Sequence, residues 1–177
     1  EIEEVSEFKL LGVTVDRHLS FAAHAENVFQ KSRSKLHALL VLKRHGVSTE
    51  GLIRFYQANI RSGIIYAAPA WFSFLTDYSR KSIESIQRQC LRVIFPDLSY
   101  EERLSKAAMI PICDYLDTMC SSFVLNVATS ETHRLKHHLP VRQSDIGRHS
   151  SRLRDVPKTL SNYNTTRKSL FSHYTVA

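Results

Sequence analysis

Apolar and polar residues alternate along one short stretch near the start of the chain. The apolar positions of this stretch are Phe8, Leu10, Val13 and Val15. Their spacing predicts a strand with one buried face. Gly12 interrupts the alternation, and a glycine inside a strand indicates a bulge or the close approach of another backbone. We expect this strand to pair with Ile2–Val5. Since a lone hairpin is marginally stable in water, the pattern also predicts a partner domain upstream.

Beyond this strand the apolar spacing changes to three and four residues, which is typical of helices that pack on one side. Ser20 is predicted to cap the first helix, which continues to about Arg44 and stops before Gly46. Its predicted core positions are Phe21, Ala25, Val28, Phe29, Ser32, Leu36, Leu39 and Leu40. Its predicted polar face carries His24, Asn27, Lys31, Ser34 and Lys35.

Two more helices complete a predicted antiparallel bundle. The second begins at Ser48, and Gly63 is expected to bend or break it; its predicted stripe is Leu52, Phe55, Tyr56, Asn59, Ile60 and Gly63. Residues 64–71 are apolar on all sides and are therefore expected at the centre of the core. Thr76 or Asp77 caps the third helix, which runs to Phe95. Its predicted core face is Ile83, Ile86, Gln87, Cys90, Leu91 and Ile94.

The second half of the chain predicts two further helices and an irregular end. Ser99 and Glu102 form the pattern of a capping box at the start of a short helix. A longer helix follows Pro111 and ends near Ser130, with Leu116, Met119, Cys120, Phe123, Val124 and Val127 on its core side. Residues 132–177 lack helical spacing. The predicted fold is mainly α: a short N-terminal β-hairpin, a helical bundle, two further helices and an irregular basic tail. The predicted divisions are 1–18, 19–96, 97–131 and 132–177.

The 177 residues carry a formal net charge of +7, and this charge is distributed unevenly. Residues 132–177 contain nine Lys or Arg and two Asp, and residues 31–44 contain five basic residues and no acidic one. A basic helix and a basic tail favour contact with a polyanion, most simply nucleic acid. The candidate contacts on the first helix are His24, Asn27, Lys31, Arg33 and Lys35, although His24 could also be a cap-region or packing residue. The same charges also suit a solvated helix face and a solubilising tail.

The sequence offers neither a catalytic centre nor a metal site. Two-metal phosphoryl transfer needs converging carboxylates that hold both metal ions, and the aspartates here are scattered. Asp114 and Asp117, one helical turn apart, are expected on a solvated face. The run His133, His137 and His138 lacks acidic or cysteine partners, so zinc is not expected. Three unpaired cysteines favour a reduced, intracellular protein, and no stretch is apolar enough to cross a membrane.

An ordered set of motifs resembles one known family. The motifs are Phe8-Lys9-x-Leu11-Gly12-Val13, Leu19-x-Phe21-x-x-His24, Tyr56, Ile65-Tyr66-Ala67-x-Pro69-x-Trp71 and Ile83-Glu84-x-Ile86-Gln87-Arg88. Their order and spacing resemble the palm end and the helical thumb of reverse transcriptases from non-LTR (LINE-type) retrotransposons. The helices of residues 97–131 resemble the connector beyond that thumb. From the residues alone, Tyr66 and Trp71 are expected in the core rather than as platforms for bases.

The resemblance implies a role in positioning nucleic acid. Leu10, Leu11 and Gly12 would lie at the primer grip, and the first helix would follow an RNA–DNA template–primer duplex. The catalytic carboxylates and their Mg²⁺ would belong to a palm domain upstream, so this chain would bind no cofactor itself.

The chain is thus expected to be a non-catalytic C-terminal fragment of an RNA-directed DNA polymerase. Three alternatives remain open at this point. The first two are a free-standing helical module that binds nucleic acid and a helical protein–protein adaptor. The third is the product of a decayed reading frame without a role.

Overall fold

The computed structural model describes residues 5–139, which begin with a β-hairpin. Strand β1 (Glu7–Leu10) pairs antiparallel with β2 (Val13–Asp16), and Leu10 lies opposite Val13. The prediction of one interrupted strand over Phe8–Val15 is wrong, because Leu11 and Gly12 form a two-residue turn with φ of 45° and 88°. Glycine adopts such positive φ values without steric cost. The expected pairing with Ile2–Val5 lies largely outside the described residues.

Helix α1 (Ala22–Arg44) begins after a turn built on the Asp16 carboxylate. This carboxylate accepts hydrogen bonds from the backbone N–H of His18 (2.8 Å) and Phe21 (2.9 Å) and from the Ser20 hydroxyl (2.8 Å). Burial raises the pKa of Asp16, but these bonds outweigh burial and leave the pKa below its usual value. The predicted Ser20 cap is wrong: Phe21, with φ of 53°, precedes the helix, and its side chain is buried.

The second helix contains a π segment. It consists of α2 (Thr49–Phe55), the π segment Tyr56–Arg61 and α3 (Ser62–Ile65), and the Ser48 hydroxyl caps its start. The buried positions Leu52, Tyr56, Ile60 and Ile64 follow one another at intervals of four residues. Asn59 and Gly63 are exposed, so their predicted place in the core is wrong. The wider π turn is the reason, because it delays the return of side chains to the same side. The helix continues through Gly63.

The apolar run that follows forms two short turns. These are α4 (Ala68–Trp71), with Pro69 in its first turn, and a 3₁₀ turn at Phe72–Phe74. Helix α5 (Asp77–Ile94) then begins at Thr76, whose side chain accepts from the Ser79 N–H. All six predicted core positions of α5 are buried, which confirms its amphipathic pattern.

Helices α6 (Tyr100–Lys106) and α7 (Ile112–Thr129) agree with their predictions, including the capping box of Ser99 and Glu102. Phe123, expected in the core, is 38% exposed. Asp117 is not simply solvated, since its carboxylate lies 3.1 Å from the Arg80 guanidinium. That guanidinium also stacks on the Phe72 ring at 4.2 Å. The described part ends with a 3₁₀ turn at Lys136–His138, and the rest of the predicted tail lies outside it.

One hydrophobic core joins the hairpin, the bundle and α7. It extends from Val13 in β2, through Trp71 and Phe72 at the centre, to Leu116 and Cys120 in α7. The fold is therefore mainly α with a short N-terminal hairpin, as the sequence predicts. Among the described residues, no helix combines the length and the apolar character needed to cross a membrane.

Candidate nucleic-acid interface

The tip of the hairpin is exposed but held in place. Leu10 and Leu11 are 55% and 84% exposed, whereas Val13 is buried against the bundle. The Tyr66 hydroxyl donates to the Leu11 carbonyl oxygen at 2.7 Å. A Cβ added to Gly12 would lie 3.4 Å from the Tyr66 ring, an ordinary contact distance, so the φ of 88° and not the space is what favours glycine here. The predicted core position of Tyr66 is wrong: its ring is 54% exposed and anchors the tip.

His24 is a structural residue rather than a surface contact. It is 5% exposed, and its ring meets Trp71 edge-on with centroids 4.9 Å apart. Its Nδ1 accepts the backbone N–H of Thr14 at 3.3 Å, so the neutral ring carries its proton on Nε2. The prediction that His24 lies on the polar face of α1 is therefore wrong. Burial lowers the pKa of His24, and the positive charge of Lys31 lowers it further.

This environment predicts that acid weakens the fold. The unfolded chain protonates His24 near its ordinary pKa of about 6.5, whereas the folded chain does so only at lower pH. The stability that the neutral His24 ring contributes is therefore fully present above about pH 6.5, the ordinary pKa that applies in the unfolded chain. Below that value this contribution decreases as the pH falls, by at most about 1.4 kcal/mol per pH unit for one proton. Urea denaturation at pH 7.5 and pH 5.5 measures the difference.

Two variants separate His24 from the other histidines. His24→Phe keeps a ring against Trp71 but cannot titrate, so the loss of stability between the two pH values should shrink. His37 is exposed on the same helix, and His37→Gln should leave that loss unchanged. An equal loss in wild type and His24→Phe would contradict this account.

The predicted basic contacts of α1 lie on two sides of the helix. Lys31 and Lys35 are four residues apart and share a side, and both are exposed. The Lys35 Nζ donates to the Asn59 carbonyl oxygen at 2.6 Å. Asn27, one turn before Lys31, reaches the Thr14 hydroxyl at 3.5 Å. The side with Asn27, Lys31 and Lys35 therefore faces the hairpin and the second helix.

Arg33 lies on the other side of α1. It lines a shallow cavity with Phe29, Leu36, Ile86 and Gln89, next to α5. Residues two apart on a helix do not share a face, so Arg33 cannot act together with Lys31 and Lys35 on a single short surface.

The hairpin tip and Lys35 contact the same helix within about one turn. Gly63 faces the Lys35 ammonium, with 4.0 Å between Nζ and the position a Cβ would take. Tyr66, which anchors the tip, comes three residues after Gly63. The exposed tip and Lys35 thus contact neighbouring parts of the same segment, and Lys31 lies one turn before Lys35. We call these residues the tip–lysine surface (Leu10–Gly12, Asn27, Lys31 and Lys35). The sequence does not identify Tyr66 as the residue that fixes the tip, because an aromatic residue within an apolar run is expected in the core.

The described residues hold no group of three or more His, Cys, Asp or Glu side chains that could bind a metal ion. Cys90 and Cys120 are buried, Cys113 is half-buried, and all three are free thiols. Burial raises the pKa of Cys90 to about 12, so this thiol stays protonated and unreactive at neutral pH.

Known proteins add no assignment to this chain. No protein-family model, no curated protein and no solved structure matches it. The resemblance to retrotransposon reverse transcriptases therefore stays a prediction.

Proposed function

We propose that the chain holds a nucleic-acid duplex through contacts to its sugar–phosphate backbone, as the thumb of a non-LTR reverse transcriptase does. The observation that carries the proposal is the position of Lys31 and Lys35 beside the anchored hairpin tip. In the parent polymerase the duplex would be an RNA–DNA template–primer. The catalytic carboxylates and Mg²⁺ would come from another part of that protein, which would act inside the cell.

The electrostatics of α1 support a polyanionic ligand. From Asn27 to Arg44 the helix contains no acidic residue. Ammonium groups bind phosphates as point charges and need no particular base sequence. The Lys35 ammonium group has three N–H donors, and one of them is bonded to the Asn59 carbonyl oxygen. Two donors therefore remain for a phosphate. Lys31 and Lys35 are one helical turn apart, about 6 Å, which is close to the spacing of neighbouring phosphates in a nucleic-acid strand.

The tip supports a contact of a different kind. The Leu11 side chain projects into solvent while its backbone is fixed by Tyr66. A fixed apolar side chain can pack against a sugar or a terminal base without reading sequence. The two kinds of contact together would hold the end of a strand at the tip and its phosphates along α1.

The test is the salt dependence of binding to an RNA–DNA hybrid of about 20 base pairs. We expect the logarithm of the association constant to fall linearly with the logarithm of the salt concentration, equally for unrelated sequences. Lys31→Gln with Lys35→Gln should reduce the slope by about 2 and weaken binding at 0.1 M salt about tenfold to a hundredfold. Filter binding between 50 and 300 mM salt measures both quantities.

A matched variant removes the same charge from the other side of the helix. Arg33→Gln with Arg44→Gln should change the slope by less than about 0.5, since neither residue belongs to the tip–lysine surface. Both double variants keep the basic tail, so its contribution is the same in each. Equal effects of the two double variants, or a flat salt response, would refute the proposal.

A further inference from the structure

The outer edge of β1 is unpaired in the described part of the chain. The sheet described there has two strands, and β2 is the strand that packs against α1. The outer edge of β2 is covered, because His24 accepts the Thr14 N–H. On β1, by contrast, Phe8 and Leu10 are each about half exposed. An exposed edge with apolar side chains is a template for a further strand.

The register determines which backbone groups this edge presents. Leu10 and Val13 close the two-residue turn as a hydrogen-bonded pair, and pairs alternate from there. The Thr14 N–H points away from β1, as its bond to His24 requires, so Lys9 and Thr14 form a non-hydrogen-bonded pair. Lys9 and, two residues earlier, Glu7 therefore direct their N–H and C=O groups outward.

We propose that a second copy of this chain pairs antiparallel with this edge and forms a symmetric dimer with a continuous four-stranded sheet. In the favoured register the two-fold axis passes midway between the Phe8 residues of the two copies, so that these residues lie directly opposite each other. Glu7 of each copy then exchanges two backbone hydrogen bonds with Lys9 of the other, four bonds in all. The two Phe8 rings lie opposite each other in the closely spaced pair between them.

Charge selects this register. Glu7 and Lys9 share one face of β1, so pairing about Phe8 places each carboxylate directly across from an ammonium group. A shift of the two strands by two residues in either direction would bring Glu7 opposite Glu7, or Lys9 opposite Lys9. Like charges in directly opposed positions are destabilising. The edge is thus complementary to a copy of itself, as an isologous interface must be.

The contact is short, so we expect a weak dimer that depends on concentration. Sedimentation velocity of the 177-residue chain between 1 and 200 µM should show monomer converting to dimer. Lys9→Glu and Glu7→Lys should each weaken the dimer about tenfold or more, because each places like charges across the interface. Mixing the two variants should restore a heterodimer, and the double reversal Glu7→Lys with Lys9→Glu should dimerise to within about threefold of wild type.

The controls separate this edge from a general effect of charge. Lys81→Glu, an exposed residue of α5, should leave dimerisation unchanged, and far-UV circular dichroism should be the same for all variants. A monomer at every concentration would overturn the proposal. So would a dimer that Lys9→Glu leaves intact, or a failure of the mixture and of the double reversal to associate.

Discussion

Replacing Trp71 by alanine should lower the free energy of unfolding by about 3–5 kcal/mol. Its side chain is fully buried at the centre of the core, against His24 and Phe72. Its Nε1–H donates to the Tyr66 carbonyl oxygen at 3.0 Å. Alanine would leave a large cavity and an unpaired carbonyl, because the surrounding helices can only partly collapse. Since a domain of this size is stable by only about 5–15 kcal/mol, the loss is a large fraction of the total.

The Trp71→Ala effect is measured by urea denaturation followed by circular dichroism. If that variant does not fold, Trp71→Phe should fold with a smaller loss of stability, because phenylalanine keeps an aromatic ring against His24. The remaining loss then comes from the smaller ring and the missing indole N–H. Tyr78 is 81% exposed, so Tyr78→Ala, which also removes an aromatic ring, should cost less than about 0.5 kcal/mol. A loss below about 1 kcal/mol for Trp71→Ala would show that the core is not centred on this residue.

Replacing Glu84 by alanine should cost about 2–4 kcal/mol, although this residue lies on the polar side of α5. Its carboxylate accepts the Tyr100 hydroxyl and, at 3.1 Å, the backbone N–H of Cys113. The Arg88 guanidinium stacks on the Tyr100 ring, 4.1 Å from the ring centroid. Burial, followed by the Glu84 carboxylate, raises the pKa of Tyr100 far above its usual value, so the phenol stays a donor. Glu84 therefore joins α5 to both α6 and α7.

A double-mutant cycle of Glu84→Ala and Tyr100→Phe tests this account by urea denaturation. We expect a coupling energy of about 1–2 kcal/mol, because each single variant leaves the other group unpaired. Glu101→Ala, a surface carboxylate on α6, should change stability by less than about 0.5 kcal/mol. Additive effects of Glu84→Ala and Tyr100→Phe would mean that the bond contributes nothing to stability.

The sequence predicts the regular helices well because their patterns are local. The six core positions of α5 and the capping box of α6 depend only on residues within a few turns. The second helix is different, since the π segment changes the spacing of buried residues without changing composition. The role of Glu84 in joining three helices could not be predicted from the local pattern either. Its partners Tyr100 and Cys113 lie 16 and 29 residues away, and only the packing of three helices brings them together.

The candidate surface was predictable only in part. Lys31 and Lys35 are identified by charge and spacing alone. Spacing also separates Arg33 from them, because residues two apart on a helix do not share a face. The sequence pattern places His24 among polar surface residues. Its buried position depends on the folded hairpin, whose Thr14 N–H donates to the His24 ring. The contact that fixes the tip joins residues 55 positions apart, which is beyond any local pattern.

The π segment has a consequence for how this chain tolerates changes in length. A π turn is equivalent to one residue inserted into an α-helix. Deleting one residue between Tyr56 and Arg61 would remove the extra residue and restore ordinary helical bonding, so the residues after it would keep their side of the helix. Ile64 would stay in the core, and Tyr66 would still reach Leu11. A deletion in the α-helical turns of the same helix would instead rotate everything after it by about 100° and move Tyr66 away from the tip, so the π segment is the place where this helix can lose a residue without disturbing the tip–lysine surface.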